Sequence, residues 1–251
     1  MPIRENAYVV YELTKAEFKK RNESSLLGVL WYLLGPLLTF GVLYVVFTDR
    51  LGSGVERYSL YLFSGIVVWN FFGSATAHAL SAVQMRAGII KSLPVRRDII
   101  ILSVVLDLFV SHLFELAVLL LLVLASGALA WTAVFFPLIL LLQFVFVLGV
   151  SKALAALFCV FGDLDQIWSV VMKAWWFATP IFYVLTPDGP GRRVSMWNPL
   201  FHAIDLSRDV LVYGTVPDIR SLAIFAVFAL VAYAAGSRIF AAISPRFAEY
   251  V

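Results

Sequence analysis

Six long apolar runs constrain this chain more than any other feature of its sequence. They cover about residues 26–47, 60–83, 99–125, 132–160, 167–185 and 222–243. Each run is long enough to cross about 30 Å of hydrocarbon, because a helix rises about 1.5 Å per residue. Backbone groups in lipid must be satisfied internally, so each run is predicted to be helical. The sequence therefore predicts an all-α integral membrane protein with six transmembrane helices.

Composition supports this prediction and argues against a separate soluble module. Of the 251 residues, 62% are hydrophobic and 14% are charged, against roughly 50% and 25% in soluble domains. Six spans with short connections fill the chain, so residues 1–251 are predicted to form one transmembrane domain. The net charge of +3 lies at the ends of apolar runs, which argues against nucleic-acid binding.

The positions of the cations predict the orientation of the chain. Six crossings put both termini on one side of the membrane. Of the 19 lysines and arginines, twelve fall on that side, six fall on the other, and Lys173 lies inside a run. Because cytoplasmic loops carry the excess of Lys and Arg, both termini are predicted to be cytoplasmic.

Two segments outside the runs have helical patterns of their own. Residues 7–23 place apolar and charged side chains on opposite arcs, which predicts an amphipathic helix lying along the cytoplasmic interface. Residues 186–221 form the longest connection, on the outer side. Within it, Leu200 to Val212 has helical spacing but is too short to cross. This pattern fits a short re-entrant or interfacial helix, or a surface loop.

The cytoplasmic turn at residues 84–97 is the most specific local feature. Its charged ends anchor it at the membrane surface, and its apolar residues have helical spacing before a proline. A short helix that shows apolar residues to the cytoplasm predicts a docking site for a partner. The alternative is a loop that only skims the lipid headgroups. The candidate docking residues are Arg86, Gly88, Ile89, Ile90, Lys91, Leu93 and Pro94.

The sequence lacks the motifs of the commonest membrane-associated enzymes. No Gly-x-x-x-x-Gly-Lys-Ser/Thr phosphate loop is present, so the chain shows no sign of hydrolysing nucleotide itself. The three histidines are far apart and no His-Glu-x-x-His motif occurs. The single Cys159 excludes an internal disulfide and a cysteine-based metal cluster. No metal, cofactor or catalytic group is predicted in this chain.

A few polar side chains fall inside the third run. Asp107, Ser111 and Glu115 are spaced four apart and share a helix face, with His112 beside them. Ionisable groups at membrane depth usually face the protein interior or a water-filled path. Two interpretations stay open. The group is either a proton or ion relay, or a structural cluster that pairs with Lys152 or Lys173 or lies near the interface.

Three sequence blocks resemble the ABC-2 type permeases that export O-antigen, teichoic acid and capsular polysaccharide. The first runs from Arg21 to Trp31, with Pro36 following inside the first span. The second joins residues 161–167 to Thr179-Pro180-Ile181-Phe182-Tyr183. The third is the Trp197-Asn198-Pro199 block, continuing to Asp205 and Arg208. The resemblance covers nearly the whole chain. One departure is Gly162, where the family typically has an arginine.

The resemblance implies a homodimer working with two copies of a separate ATP-binding cassette subunit, which would bind ATP and Mg²⁺. The substrate would be a lipid-linked glycan, exported across a bacterial cytoplasmic (inner) membrane. The interfacial helix and the turn at 84–97 would couple to the ATPase, and the short outer helices would be re-entrant. Arg21 would meet an anionic lipid head group. The candidates to line the sugar path are aromatic: Trp31, Trp69, Trp168, Trp175 and Tyr183.

Two other functions remain open at this point. An ABC-2 exporter of drugs or small lipids differs little in sequence, although the aromatic content of 15% and the Asn198-Pro199 block favour glycans. A membrane-embedded enzyme acting on a lipid-linked sugar would need acids, histidines or arginines at catalytic spacing. The outer loop offers such residues without a recognised catalytic pattern: Arg192, Arg193, His202, Asp205, Arg208 and Asp209.

Overall fold

The structure is a computed structural model that describes residues 3–23, 30–52, 54–88, 96–186 and 189–247. Every regular element in these ranges is helical. The α-helices are α1 Ile3–Glu23, α2 Leu30–Phe47, α3 Tyr58–Met85, α4 Asp98–Ala125, α5 Phe136–Val160, α6 Leu164–Ala178, α7 Pro190–Ser195, α8 Pro199–Arg208 and α9 Ile219–Ile243. Short π-helical turns cover Thr48–Gly52 and Asp209–Tyr213, and 3-10 turns cover Trp131–Phe135 and Ser244–Arg246.

Five of these helices, with their adjoining turns, are long and apolar enough to cross a membrane. They match the first, second, third, fourth and sixth predicted runs, within a few residues at each end. The crossing segments are Leu30–Arg50, Tyr58–Met85, Asp98–Ala125, Trp131–Val160 and Ile219–Arg246.

The prediction for the fifth helix is wrong at its C-terminal end. The run 167–185 was expected to be helical throughout, whereas α6 ends at Ala178 and residues 179–186 are non-helical. Pro180 explains the break, because proline has no backbone N–H and disfavours helix in the residue before it. With 15 residues, α6 alone is about 22 Å long, shorter than the hydrocarbon core.

Helix α3 lies at the centre of the bundle, and α5 and α9 form its most extensive helix pair. Helices α5 and α9 pack backbone against backbone at two glycines. A Cβ atom on Gly236 would overlap the carbonyl oxygen of Gly149, and a Cβ atom on Gly149 would lie against the Tyr233 backbone. Only glycine allows this approach, since every other residue carries a Cβ.

The two segments predicted outside the spans both contain helices. Helix α1 packs along α4, where the Thr14 hydroxyl donates to the Ser103 carbonyl at 3.5 Å. In the segment 186–221, α8 packs against α3 and α9, and most of its side chains are buried. The surface-loop interpretation of residues 200–212 is therefore wrong, because apolar side chains on several sides of α8 find partners within the bundle.

Candidate functional site

An aromatic seam joins the middle of α3 to α6. It consists of Trp69, Phe72, Trp168, Trp175 and Trp176. The Trp69 ring lies 5.3 Å from Trp176 and 6.4 Å from Trp175, in edge-to-face geometry. Phe72 lies 5.2 Å from Trp175 and 6.1 Å from Trp168. Three of the five predicted path residues are thus brought together, because two helices present rings at the same depth.

Hydrogen bonds hold two of the seam indoles in place. Trp168 Nε1 donates to Thr76 Oγ1 at 3.2 Å, and Trp175 Nε1 donates to Asn198 Oδ1 at 3.0 Å. The same Asn198 oxygen caps α8 by accepting the Leu200 N–H at 3.0 Å. A side chain with both of these bonds has little freedom to rotate. The predicted Asn-Pro block therefore positions a seam tryptophan.

The open side of the seam is a groove of about 280 Å³. It is lined by Trp69, Met172, Lys173, Trp176 and Phe177. Helix α6 contributes no fully buried residue, so one of its faces packs on the seam while the other is uncovered. Trp176 and Lys173 were not among the predicted path residues. Their spacing three apart on one helix face was the available signal.

The remaining two path candidates lie elsewhere. Trp31, near the start of α2, is 56% exposed and is not part of the seam. Tyr183 follows the end of α6, where its hydroxyl donates to the Phe177 carbonyl at 2.9 Å and its ring packs 5.2 Å from Phe182. Tyr183 therefore supports the non-helical segment.

Three side chains bind the carbonyls that the α6 break leaves without helical partners. Arg208 donates to the Pro180 carbonyl at 2.9 Å and to the Ile181 carbonyl at 2.8 Å. The Tyr58 and Tyr61 hydroxyls donate to the next two carbonyls, Phe182 and Tyr183, each at 2.8 Å. We call Tyr58, Tyr61 and Arg208 the carbonyl clamp. Non-helical backbone at membrane depth is tolerated where protein groups satisfy it in this way.

The Arg208 side chain is only 2% exposed, and it contacts both α3 and the non-helical residues after α6. Its guanidinium carbon lies 3.4 Å from the centre of the Tyr61 ring, and its Nε donates to the Tyr61 carbonyl at 3.2 Å. Gly65 leaves the space that the guanidinium fills, since a Cβ there would lie 2.8 Å from Nη2. Sequence patterns gave no sign of this contact.

The turn at 84–97 is described only at its ends. Arg86, where α3 ends, is 9% exposed and pairs with Glu17 of α1 at 2.8 Å. This ion pair ties the predicted interfacial helix to the start of the predicted docking turn. Arg86 also donates to the Ala82 carbonyl at 3.2 Å. Gly88 lies two residues further on and is the last residue of the described range 54–88.

The other coupling and head-group residues lie outside what the structure describes. Ile89, Ile90, Lys91, Leu93 and Pro94 fall in the undescribed range 89–95. Arg21 belongs to α1, but its side chain is also outside the described set. Their predicted roles remain predictions.

A polar cavity of about 210 Å³ lies between α2, α3 and α4. Its lining includes Asn70, Ser111, His112 and Glu115. The His112 ring nitrogen Nδ1 lies 3.8 Å from the Glu115 carboxylate. Lys152, expected as a partner for this cluster, instead lies 3.7 Å from Asp98 and donates to Ser237. Both interpretations of the cluster, as a proton or ion relay and as a structural cluster, stay open. Lys152 does not supply the positive charge for a structural cluster.

Five membrane-length helices among the described residues, with α3 at the centre of the bundle, indicate a multi-pass membrane protein. The sequence profile described as "ABC-2 type transporter" matches residues 8–212. The chain therefore belongs to the ABC-2 type transporter family. This membership favours a transporter over an enzyme.

Curated relatives match this chain over almost its full length. The O-antigen export system permease protein RfbA of Myxococcus xanthus is 28% identical over 247 residues, covering 97% of this chain and 95% of that protein. RfbA of Klebsiella pneumoniae is 28% identical and covers 94% and 92%. The polysialic acid transport protein KpsM of Escherichia coli is 25% identical and covers 86% and 85%.

Proposed function

We propose that this chain is the permease subunit of an ATP-driven exporter of a lipid-linked polysaccharide. The end-to-end similarity to permeases named for O-antigen export carries the proposal. The aromatic seam adds physical support, because flat rings give the C–H faces of sugars weak, repeated apolar contacts. A moving polymer needs contacts of that kind rather than one deep site.

The exporter acts at the bacterial cytoplasmic membrane, with both termini of this chain in the cytoplasm. The charge distribution supports that orientation.

The sixth crossing consists of α6 and the non-helical residues 179–186. Backbone adds at most about 3.3 Å per residue, so these eight residues can supply the length that α6 lacks even though some of them are in bends. The carbonyl clamp makes this crossing compatible with lipid, because it satisfies four consecutive carbonyls. In the same topology, α7 and α8 re-enter the membrane from outside.

Energy for export comes from two copies of a separate ATP-binding cassette subunit, which hold the ATP and Mg²⁺. The family supports this assignment. The coupling surface is the turn at 84–97 together with α1, which lies along the inner membrane surface. The ion pair between Glu17 and Arg86 supports a shared role, because movement of one element is passed to the other. Arg21 meets the phosphate of the lipid carrier.

Two copies of this chain form the channel. Much of the outward surface of α2 and α6 is apolar and exposed, including Val45 at 77%, Val170 at 64% and Phe177 at 68%. Such surfaces are covered in the membrane by lipid or by a second copy. The path runs along the groove beside Trp69 and Trp176.

Deleting the gene and analysing the surface glycan tests the function. We expect the deletion strain to lose one polysaccharide from its surface and to accumulate it inside, with recovery when the wild-type gene is restored. Affinity purification of the restored protein is expected to bring down an ATP-binding cassette subunit. Unchanged surface glycan together with a purified complex that hydrolyses no ATP would reject the proposal.

A further inference from the structure

Lys173 is a cation in the middle of a membrane-level helix. It is the tenth residue of α6, about 14 Å from the first residue of that helix, and its side chain is exposed. In the part of the chain that the structure describes, no acidic side chain lies within ion-pair distance of it. Burying an unpaired charge in hydrocarbon is costly, so such a residue faces water or an anionic partner.

The face of α6 that carries Lys173 is polar along its inner part. Gln166, Ser169 and Lys173 are spaced three and four residues apart, and all three are exposed. Residues at this spacing lie above one another on a helix. Val170 and Phe177 lie on the same face, but a polar stripe with a cation does not fit a face directed wholly at lipid tails. We therefore expect part of this face to border an aqueous path.

The stripe leads into the aromatic groove. Lys173 and Trp176 line the same 280 Å³ space, with Trp69 opposite on α3. The groove thus offers ring faces for the apolar side of a sugar and one ammonium group for a negative charge. An ammonium is a compact point charge with three donors, which suits carboxylate or phosphate.

We propose that the groove of Lys173, Trp69 and Trp176 binds an anionic group of the exported substrate. This inference rests on the proposed function and specifies its substrate chemistry. The shared chemistry is a carboxylate or phosphate next to a sugar ring. It comes from one of two sources: acidic sugars repeated along the glycan, or the phosphate of the lipid carrier.

The test measures export in a gene-deletion strain that carries variants of Lys173. A contact that depends on charge predicts that K173R exports like the wild type, K173Q about fivefold more slowly, and K173E more slowly still. Fivefold corresponds to the free energy of about 1 kcal/mol for a partly exposed ion pair. R193Q is the matched control, because it removes an exposed cation from α7 outside the groove. Export is normalised to the amount of each variant in the membrane.

The outcomes separate this inference from the proposed function. If the deletion leaves every surface glycan unchanged, the proposed function fails and this inference fails with it. If the glycan is lost but K173Q and K173E export at the wild-type rate, only the anionic contact is overturned. If the variants follow the expected order, a neutral glycan assigns the contact to the carrier phosphate. If the glycan is acidic, export is measured again in a host that makes the same chain without its acidic sugars. Loss of the K173Q defect there indicates the glycan, and persistence of the defect indicates the carrier phosphate.

Discussion

Helices α2 and α3 are both apolar and long enough to cross a membrane, but they occupy opposite environments. Over an 18-residue apolar stretch of α3, 78% of the residues are buried within the protein. In the corresponding stretch of α2, 6% of the residues are buried. Hydropathy is higher in α2, at 1.9 against 1.3. The less apolar helix is therefore the more buried one. High hydropathy suits a helix surface that faces lipid. Helix α3 has a lower mean hydropathy because it mixes glycine, hydroxyl and aromatic residues, which pack closely against other helices.

The largest effect on the buried helix α3 is expected at Arg208. This side chain joins the N-terminal part of α3 to the non-helical residues that follow α6. Replacing it with glutamine leaves the carbonyls of Tyr61, Pro180 and Ile181 without their donors. We expect a loss of about 4 kcal/mol in the free energy of unfolding, as for removal of one partner from a buried charged network. Thermal unfolding of the detergent-solubilised protein, followed by tryptophan fluorescence, measures it. Arg193→Gln is the exposed control, and equal unfolding midpoints for the two variants would contradict the clamp.

A glycine on each helix provides a matched pair of substitutions. Gly65 of α3 faces Arg208 and the Ile181 carbonyl, whereas a Cβ on Gly41 of α2 meets nothing within 4 Å. Gly65→Val is expected to cost about 3 kcal/mol through overpacking, and Gly41→Val is expected to leave the unfolding midpoint of the monomer nearly unchanged. Thermal unfolding measures both. If Gly41→Val were the more destabilising change, the contrast between the two helices would be wrong.

The C-terminal end of α3 has a weaker contact with α1. The Glu17 side chain is 31% exposed and the Arg86 side chain 9%, so the pair is expected to contribute about 1 kcal/mol. Glu17→Arg or Arg86→Glu alone should speed proteolysis of α1, and the charge-swapped double variant should recover part of the protection. Glu12→Gln, at an exposed position, is the control. No recovery in the double variant would show that the pair does not hold α1.

The smallest expected effect is a pH dependence of stability caused by Asp209, directly after α8. Burial, then Asp205 and Asp218, raises the pKa of Asp209 from 3.8 to about 6. The folded protein thus binds this proton more tightly than the unfolded chain, so protonation is stabilising. That contribution is complete below pH 3.8 and is lost as the pH rises through about 6. The unfolding midpoint should therefore fall over this window, and Asp209→Asn should flatten the change. If Asp209→Asn and the wild type showed the same dependence of unfolding midpoint on pH, Asp209 would not be the group responsible.

Run length and hydropathy were sufficient to predict five crossing segments, because those properties are local. The end of α6 was also predictable in principle, since Pro180 lies inside the fifth run. The carbonyl clamp was not predictable, because Tyr61 and Arg208 are 147 residues apart and no local pattern records such a contact. The packing of the aromatic seam was not predicted, and the role of its residues in a sugar path stays a prediction. Trp69, Trp168 and Trp175 were selected by residue type, whereas their convergence depends on how α3 and α6 pack.

The contact between Gly149 and Gly236 has a mechanical consequence. Two helices whose backbones touch have no layer of side chains to deform, so α5 and α9 cannot roll over each other without separating. Helices α5 and α9 therefore move as one rigid unit. Any relative movement of helices within this protein is therefore expected at α2 and α6, which pack less extensively on their neighbours than α5 and α9 pack on each other.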